Sequence, residues 1–168
     1  MLNLLLPLSA VLGGGGIGFW IAERYRARTE ELTLCLHLLS RIHTLLTVER
    51  LPLAALFKRL ADSGEFSRLP FVEETAQQLS SCPEFPTVFR RAVKASSSKL
   101  RSEDQKLLLT LADLLGAYDL ETQERGLESL RSLLEEKREE AQQNQFTNGR
   151  LSRSLGILGG IALAILLV

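Results

Sequence analysis

The sequence predicts an all-α fold: a six-helix cytosolic bundle flanked by N-terminal and C-terminal transmembrane helices. Three observations lead there. Residues 1–22 and 154–168 carry no ionisable side chain at all. The stretch between them is built from Leu, Glu, Arg, Lys and Gln, strong helix formers, with few β-branched or aromatic residues. Along that stretch apolar residues recur three or four apart, the period of a helix with one buried face. A chain of 168 residues has room for one ordinary domain with short appendages.

The first apolar run, residues 1–22, reads MLNLLLPLSAVLGGGGIGFWIA. As a helix it would extend about 33 Å, enough for a hydrocarbon core of about 30 Å. Trp20 and Tyr25 bracket its end, as aromatic residues do at a membrane interface. A cleaved signal peptide would open with basic residues and close with small ones. This run opens with MLNLL and closes with Phe19-Trp20-Ile21, so it is expected to be an uncleaved anchor. Gly13 to Gly16 is not a phosphate loop, because no Lys-Ser or Lys-Thr follows. Gly14 and Gly18 form a G-x-x-x-G spacing, which lets another helix backbone approach closely.

The soluble segment is expected over residues 23–150. From Thr29, Leu32, Leu36, Leu39, Ile42 and Leu46 line one helical face, and Pro52 sets the end. A second helix opens at Pro52, carries Leu53, Leu56, Phe57 and Leu60, and ends at Gly64. The third runs from about Leu69 to Ser81 with Phe71, Val72, Ala76 and Leu79. Pro83 and Pro86 separate it from a fourth with Val88, Phe89, Ala92 and Val93. The fifth starts with a capping box, Ser102 as N-cap and Gln105 three residues on, followed by Leu107, Leu108, Leu111, Leu114, Leu115 and Tyr118. Asp119 caps the sixth, lined by Leu127, Leu130 and Leu134, and its later part EEKREEAQQNQ reads as a solvated stalk. Residues 151–168 form the second expected span. Its charge-free part is about 22 Å long as a helix, short for a bilayer unless Leu151 extends it and Arg153 snorkels to the headgroups. A short apolar tail packed on the domain is the competing reading. Gly156 and Gly160 repeat the packing spacing of the first run.

Charge is segregated. Arg24, Arg26, Arg28, Arg150 and Arg153 flank the apolar ends with only Glu23 against them, leaving 15 basic and 19 acidic residues over 29–149. Basic flanks on the same side of both runs place the domain in the cytoplasm and both termini outside. An acidic middle argues against nucleic-acid binding, which needs a dense basic face. Cys35 and Cys82 read as reduced cytosolic thiols. His37 and His43 are six apart and point in different directions, so they do not make a metal pair. Glu73-Glu74 and Glu139-Glu140 are sequence neighbours rather than facing carboxylates, and Ser96-Ser97-Ser98 is a loop without an activating base. The sequence therefore predicts no catalytic, cofactor-binding or metal-ligating residue, and no enzyme.

The segments Gly18-Phe19-Trp20-Ile21-Ala22-Glu23-Arg24-Tyr25, Leu51 to Leu56, Leu115-Gly116-Ala117-Tyr118-Asp119 with Gln123, and Ser154 to Gly160 occur in a distinctive order. Along its whole length the chain resembles the stage III sporulation protein AB family of endospore-forming bacteria. The L-G-x-x-D-x-x-x-Q and S-L-G-x-L-G-G stretches carry most of that specificity. The resemblance implies a soluble domain similar to those of the platform protein of type II secretion. It also implies a non-catalytic platform or adaptor in a secretion-like complex of the mother-cell membrane facing the forespore. The expected partners are a cytosolic secretion-type ATPase (stage III sporulation protein AA), other stage III sporulation membrane proteins, the membrane itself, and a second copy through the glycine faces. Gly116 then fits close packing or a helix end, Asp119 an N-cap, and Gln123 a position within reach of that helix start. The N-terminus departs from relatives in lacking a basic residue in its first turns. Two other readings stay open: a membrane-tethered sensor or signalling module with a ligand-binding bundle, and a membrane-bound hydrolase.

Overall fold

The computed structural model describes residues 2–82, 84–116 and 120–166, with side chains at residues 16, 19–82, 84–116, 121–152, 154–159, 161, 162 and 165. All regular structure among them is helical. The order is α1 (Leu2–Thr47), α2 (Leu53–Asp62), α3 (Pro70–Leu79), α4 (Phe85–Ala95), α5 (Ser102–Gly116), α6 (Leu120–Asn144), a π-helical turn (Gln145–Gly149) and α7 (Arg150–Leu166). The six helices read from the middle of the sequence are all present. What differs is their separation from the ends. α1 runs unbroken for 46 residues, joining the first apolar run to the first helix of the bundle. The physical reason is local: Glu23 to Glu31 contains no Gly or Pro, so nothing stops the hydrogen-bond ladder where composition changes.

Two compact units result, residues 30–138 and residues 1–29 with 139–168. In the first, the C-terminal half of α1 buries Leu32, Cys35, Leu38, Leu39, Ile42 and Leu45. Leu36 and Leu46, expected on this face, are only half-buried. The buried face is centred on Cys35 and Ile42 instead. Four phenylalanines knit the next three helices together. Phe57 (α2) lies 5.3 Å from Phe85 and 5.9 Å from Phe89 (both α4), and Phe71 (α3) meets Phe89 edge-on at 5.8 Å. Such pairs contribute about 0.5–1.5 kcal/mol beyond the area they bury. Leu108, Leu111 and Leu115 of α5 and Leu127, Leu130 and Leu134 of α6 complete the core.

The helix ends follow turn chemistry. Gly64 sits at φ 71° just after α2, and Pro70 opens α3 at its first position. α5 is capped differently from the sequence reading. Its first residue is Ser102, Arg101 supplies the carbonyl that accepts from Gln105 N–H (3.0 Å), and Asp104 reaches back to accept from Arg101 N–H (2.9 Å). A carboxylate makes a stronger charge-assisted bond than the serine hydroxyl, and its position fixes the start one residue earlier. α1 ends in a wide turn, with Leu51 N–H donating to Leu45 C=O (3.1 Å) and Arg50 in the left-handed region at φ 51°.

In the second unit α1 pairs antiparallel with the end of α6. Arg28 meets Glu140 (3.5 Å), and a Cβ built on Gly149 would touch the Ala22 methyl (3.9 Å). Ala22, Ala141 and Gly149 are buried there. Arg28 is only 4% exposed, so it is a buried pairing residue rather than a flank arginine facing headgroups. Its position on the α1 face toward α6 accounts for that. Among the described residues no helix is long and apolar enough to cross a membrane. The expected span over 1–22 falls mainly on side chains outside the described residues. α7 has 17 residues, and Arg150 and Arg153 occupy its first turn, which shortens its apolar length.

Glycine tolerates φ 51° whereas arginine is strained there. Replacing Arg50 by Gly is expected to stabilise the purified chain by about 1 kcal/mol. The measurement is the denaturant midpoint at unchanged slope, with Arg50→Ala giving no gain.

Candidate functional site

The unit built from the two chain ends carries most of the exposed apolar surface. Of eleven exposed large hydrophobic side chains among the described residues, nine lie in it: Phe19, Trp20, Phe146, Leu151, Leu155, Ile157, Leu158, Ile161 and Ile165. On α7 these residues cover an arc of about 160° at 3.6 residues per turn. Exposing a single Leu or Ile is ordinary, but a continuous row of them forfeits about 1.5–3 kcal/mol each against a buried position. Such a surface is one that lipid or protein covers. Its polar edge is basic: the Arg24 guanidinium lies 5.2 Å from the Trp20 ring centroid, and Arg26 and Arg150 are exposed.

The sequence-singled residues distribute as follows. Gly116 ends α5, where a Cβ would come 3.0 Å from Pro86 Cγ of α4. The Gln123 amide donates to Leu115 C=O across the α5–α6 connection (3.4 Å). Gly156 is half-exposed in α7. Asp119, and Gly14, Gly18 and Gly160 as packing positions, lie outside the described residues. Sequence reasoning missed Gly126, where a Cβ would overlap Leu114 Cδ2, so a larger residue there requires the Leu114 side chain of α5 to shift.

It also missed a polar cluster in the bundle core. Glu31 Oε1 accepts from Ser98 Oγ–H (2.6 Å) and Oε2 from Lys99 N–H (2.7 Å), while Ser98 Oγ accepts from Leu100 N–H (3.0 Å). With Asp104 on Arg101 N–H, two carboxylates satisfy the backbone donors of the α4–α5 loop. The available signal was Glu31 itself, an acidic residue in register with Cys35, Leu38 and Ile42 on the apolar face. Cys35 is fully buried on the same face, and its pKa is raised, by burial first and then by the charges of Glu31 and Asp104. Such a thiol stays protonated and is a packing group, not a nucleophile. Among the described residues no three His, Cys, Asp or Glu side chains stand close enough to hold a metal.

The family model of stage III sporulation protein AB matches residues 4–168, nearly the whole chain. This chain belongs to that family. Comparison with curated proteins and with solved structures gives no match. Membership assigns the chain a role in stage III of sporulation. Among the described residues, the buried carboxylates Glu31 and Asp104 accept from backbone N–H groups of the α4–α5 loop.

The two thiols are expected to behave oppositely. In the folded chain Cys82, which is exposed, reacts with a maleimide at once, and Cys35 reacts only after denaturant is added. The unfolded Cys35 thiol ionises near its ordinary 9.0 while the folded one keeps its proton. The unfolded state then binds fewer protons, so stability falls as pH rises through that value. Unfolding midpoints measured across that range should show this decline in the wild type and a smaller one in Cys35→Ala.

Proposed function

We propose that this chain is a non-catalytic membrane platform of a sporulation-specific, secretion-like complex, held in the mother-cell membrane facing the forespore. Its two terminal helices act as the anchor, and its helical bundle stays in the cytoplasm to recruit a secretion-type ATPase, stage III sporulation protein AA. The observation that carries this reading is the clustering of nine exposed hydrophobic side chains in the unit built from the chain ends. Arg24, Arg26 and Arg150 border that surface, where cations favour the anionic cytoplasmic leaflet. Other stage III sporulation membrane proteins are the proposed neighbours within the bilayer, and the glycine spacings offer a route to pairing of copies. The cleft between α2 and α3 is about 380 Å³, open, and lined by Lys58, Ala61, Asp62, Glu73, Ala76, Gln77 and Ser80.

Cys82 is a natural topology reporter. A membrane-impermeant maleimide is expected to label it only after the cell membrane is permeabilised, and the tagged chain should bring the ATPase down from detergent-solubilised membranes. Labelling of Cys82 in intact cells would contradict the cytoplasmic placement. Isolates that keep neighbouring membrane proteins yet lack the ATPase would contradict the platform role.

A further inference from the structure

The bundle is acidic except in one place. From Phe85 to Ser102 there are five basic residues (Arg90, Arg91, Lys94, Lys99 and Arg101) and no acidic one, while the rest of 29–149 has ten basic against nineteen acidic. α4 sorts its residues sharply. Phe85, Val88, Phe89, Ala92 and Val93 face the phenylalanine core. Thr87, Arg90, Arg91, Lys94 and Ala95 line an open groove of about 600 Å³ along the outer face, stepped four apart as Thr87–Arg91–Ala95 and Arg90–Lys94. Arg90 is tied to Asp113 of α5, but Arg91 and Lys94 are exposed and have no ion-pair partner among the described residues. Elsewhere the bundle pairs many of its surface cations: Arg59 with Glu49, Arg68 with Glu30, Arg125 with Glu121, Arg131 with Glu135. The groove walls are the aliphatic stems of the cationic side chains, so it presents both apolar surface and positive charge.

We propose that this groove is the docking surface for an acidic segment of the cytosolic partner. The inference rests on the platform reading and names the face that reading leaves unspecified. Charge decides the occupant. An anionic lipid surface would meet this face but be repelled by the acidic remainder of the bundle, and a second copy brings the same net negative charge. A soluble partner offering one acidic, partly apolar segment satisfies both features of the groove at once.

The test uses the full chain in detergent and the purified ATPase, with wild type compared against Arg91→Glu/Lys94→Glu and against a control with the same charge change elsewhere, Lys58→Glu/Lys106→Glu. All four positions are exposed, so circular dichroism and the thermal transition should stay unchanged. The expected result is that the groove variant weakens capture by about tenfold or more and the control by less than about twofold, with wild-type capture falling as salt rises. Equal capture by the groove variant, or equal losses in both variants, overturns the proposal while leaving the platform reading in place. A groove variant that changes the oligomeric mass of the chain but not capture shows an interface between copies, and also overturns it. Failure of the wild type to capture the ATPase removes the platform reading, and this proposal with it.

Discussion

The continuity of α1 is the constraint on which the rest of the chain depends. One helix of 46 residues carries the apolar N-terminal run at one end and the central core face of the bundle at the other. Each backbone bond in it is indifferent to whether the side chains around it prefer lipid, protein or water. Side chains alone mark the change, from a charge-free run to Arg24, Arg26 and then the buried Arg28. α6 and the π-helical turn after it answer it from the other end of the sequence, with Glu140 and Gly149 set against Arg28 and Ala22. Buried ion pairs add little net stability, but removing one partner leaves an uncompensated charge. Of the Arg28–Glu140 pair only Arg28 is buried, so removing Glu140 would take a compensating charge away from Arg28 on α1.

Inside the bundle, the packing of α1 has a polar counterpart. Glu31 reaches a loop 67 and 68 residues away in sequence and satisfies donors there that would otherwise be stranded. Hydrogen bonds to a charged acceptor are worth about 1.5–3 kcal/mol, comparable to burying one large apolar side chain. The loop held in this way connects the aromatic layer of α2 to α4 with the leucine layer of α5 and α6. It also fixes the start of α5, where Asp104 has replaced the serine cap suggested by the capping box.

Much of this was legible in the sequence, for identifiable reasons. Pro52 and Gly64 bound α2 unambiguously, so it and α3 could be placed to within a residue or two, whereas Pro86, expected before the fourth helix, lies inside the first turn of α4. The leucine spacing marked α5 and α6. Other features were hidden because hydropathy and backbone geometry report different things. The change of composition at residue 22 looks like a boundary, yet no residue there breaks a helix. Leu36 and Cys35 are equally compatible with a helical stripe, and only the neighbouring helices choose between them. Arg50 stands where glycine is usual, and nothing local announces a left-handed residue. The role of Glu31 depends on a backbone N–H far along the chain. Gly126 shows its purpose only when Leu114 is seen against it.

Hydrogen exchange across α1, in the full chain held in detergent micelles, tests this account most directly. Amides of residues 23–29, where lipid-like composition gives way to the bundle, are expected to exchange as slowly as those of Leu32 to Leu45, because one uninterrupted ladder joins them. Rapid exchange confined to residues 23–29, with both flanking stretches protected, would show a hinge in place of the continuous helix and contradict it.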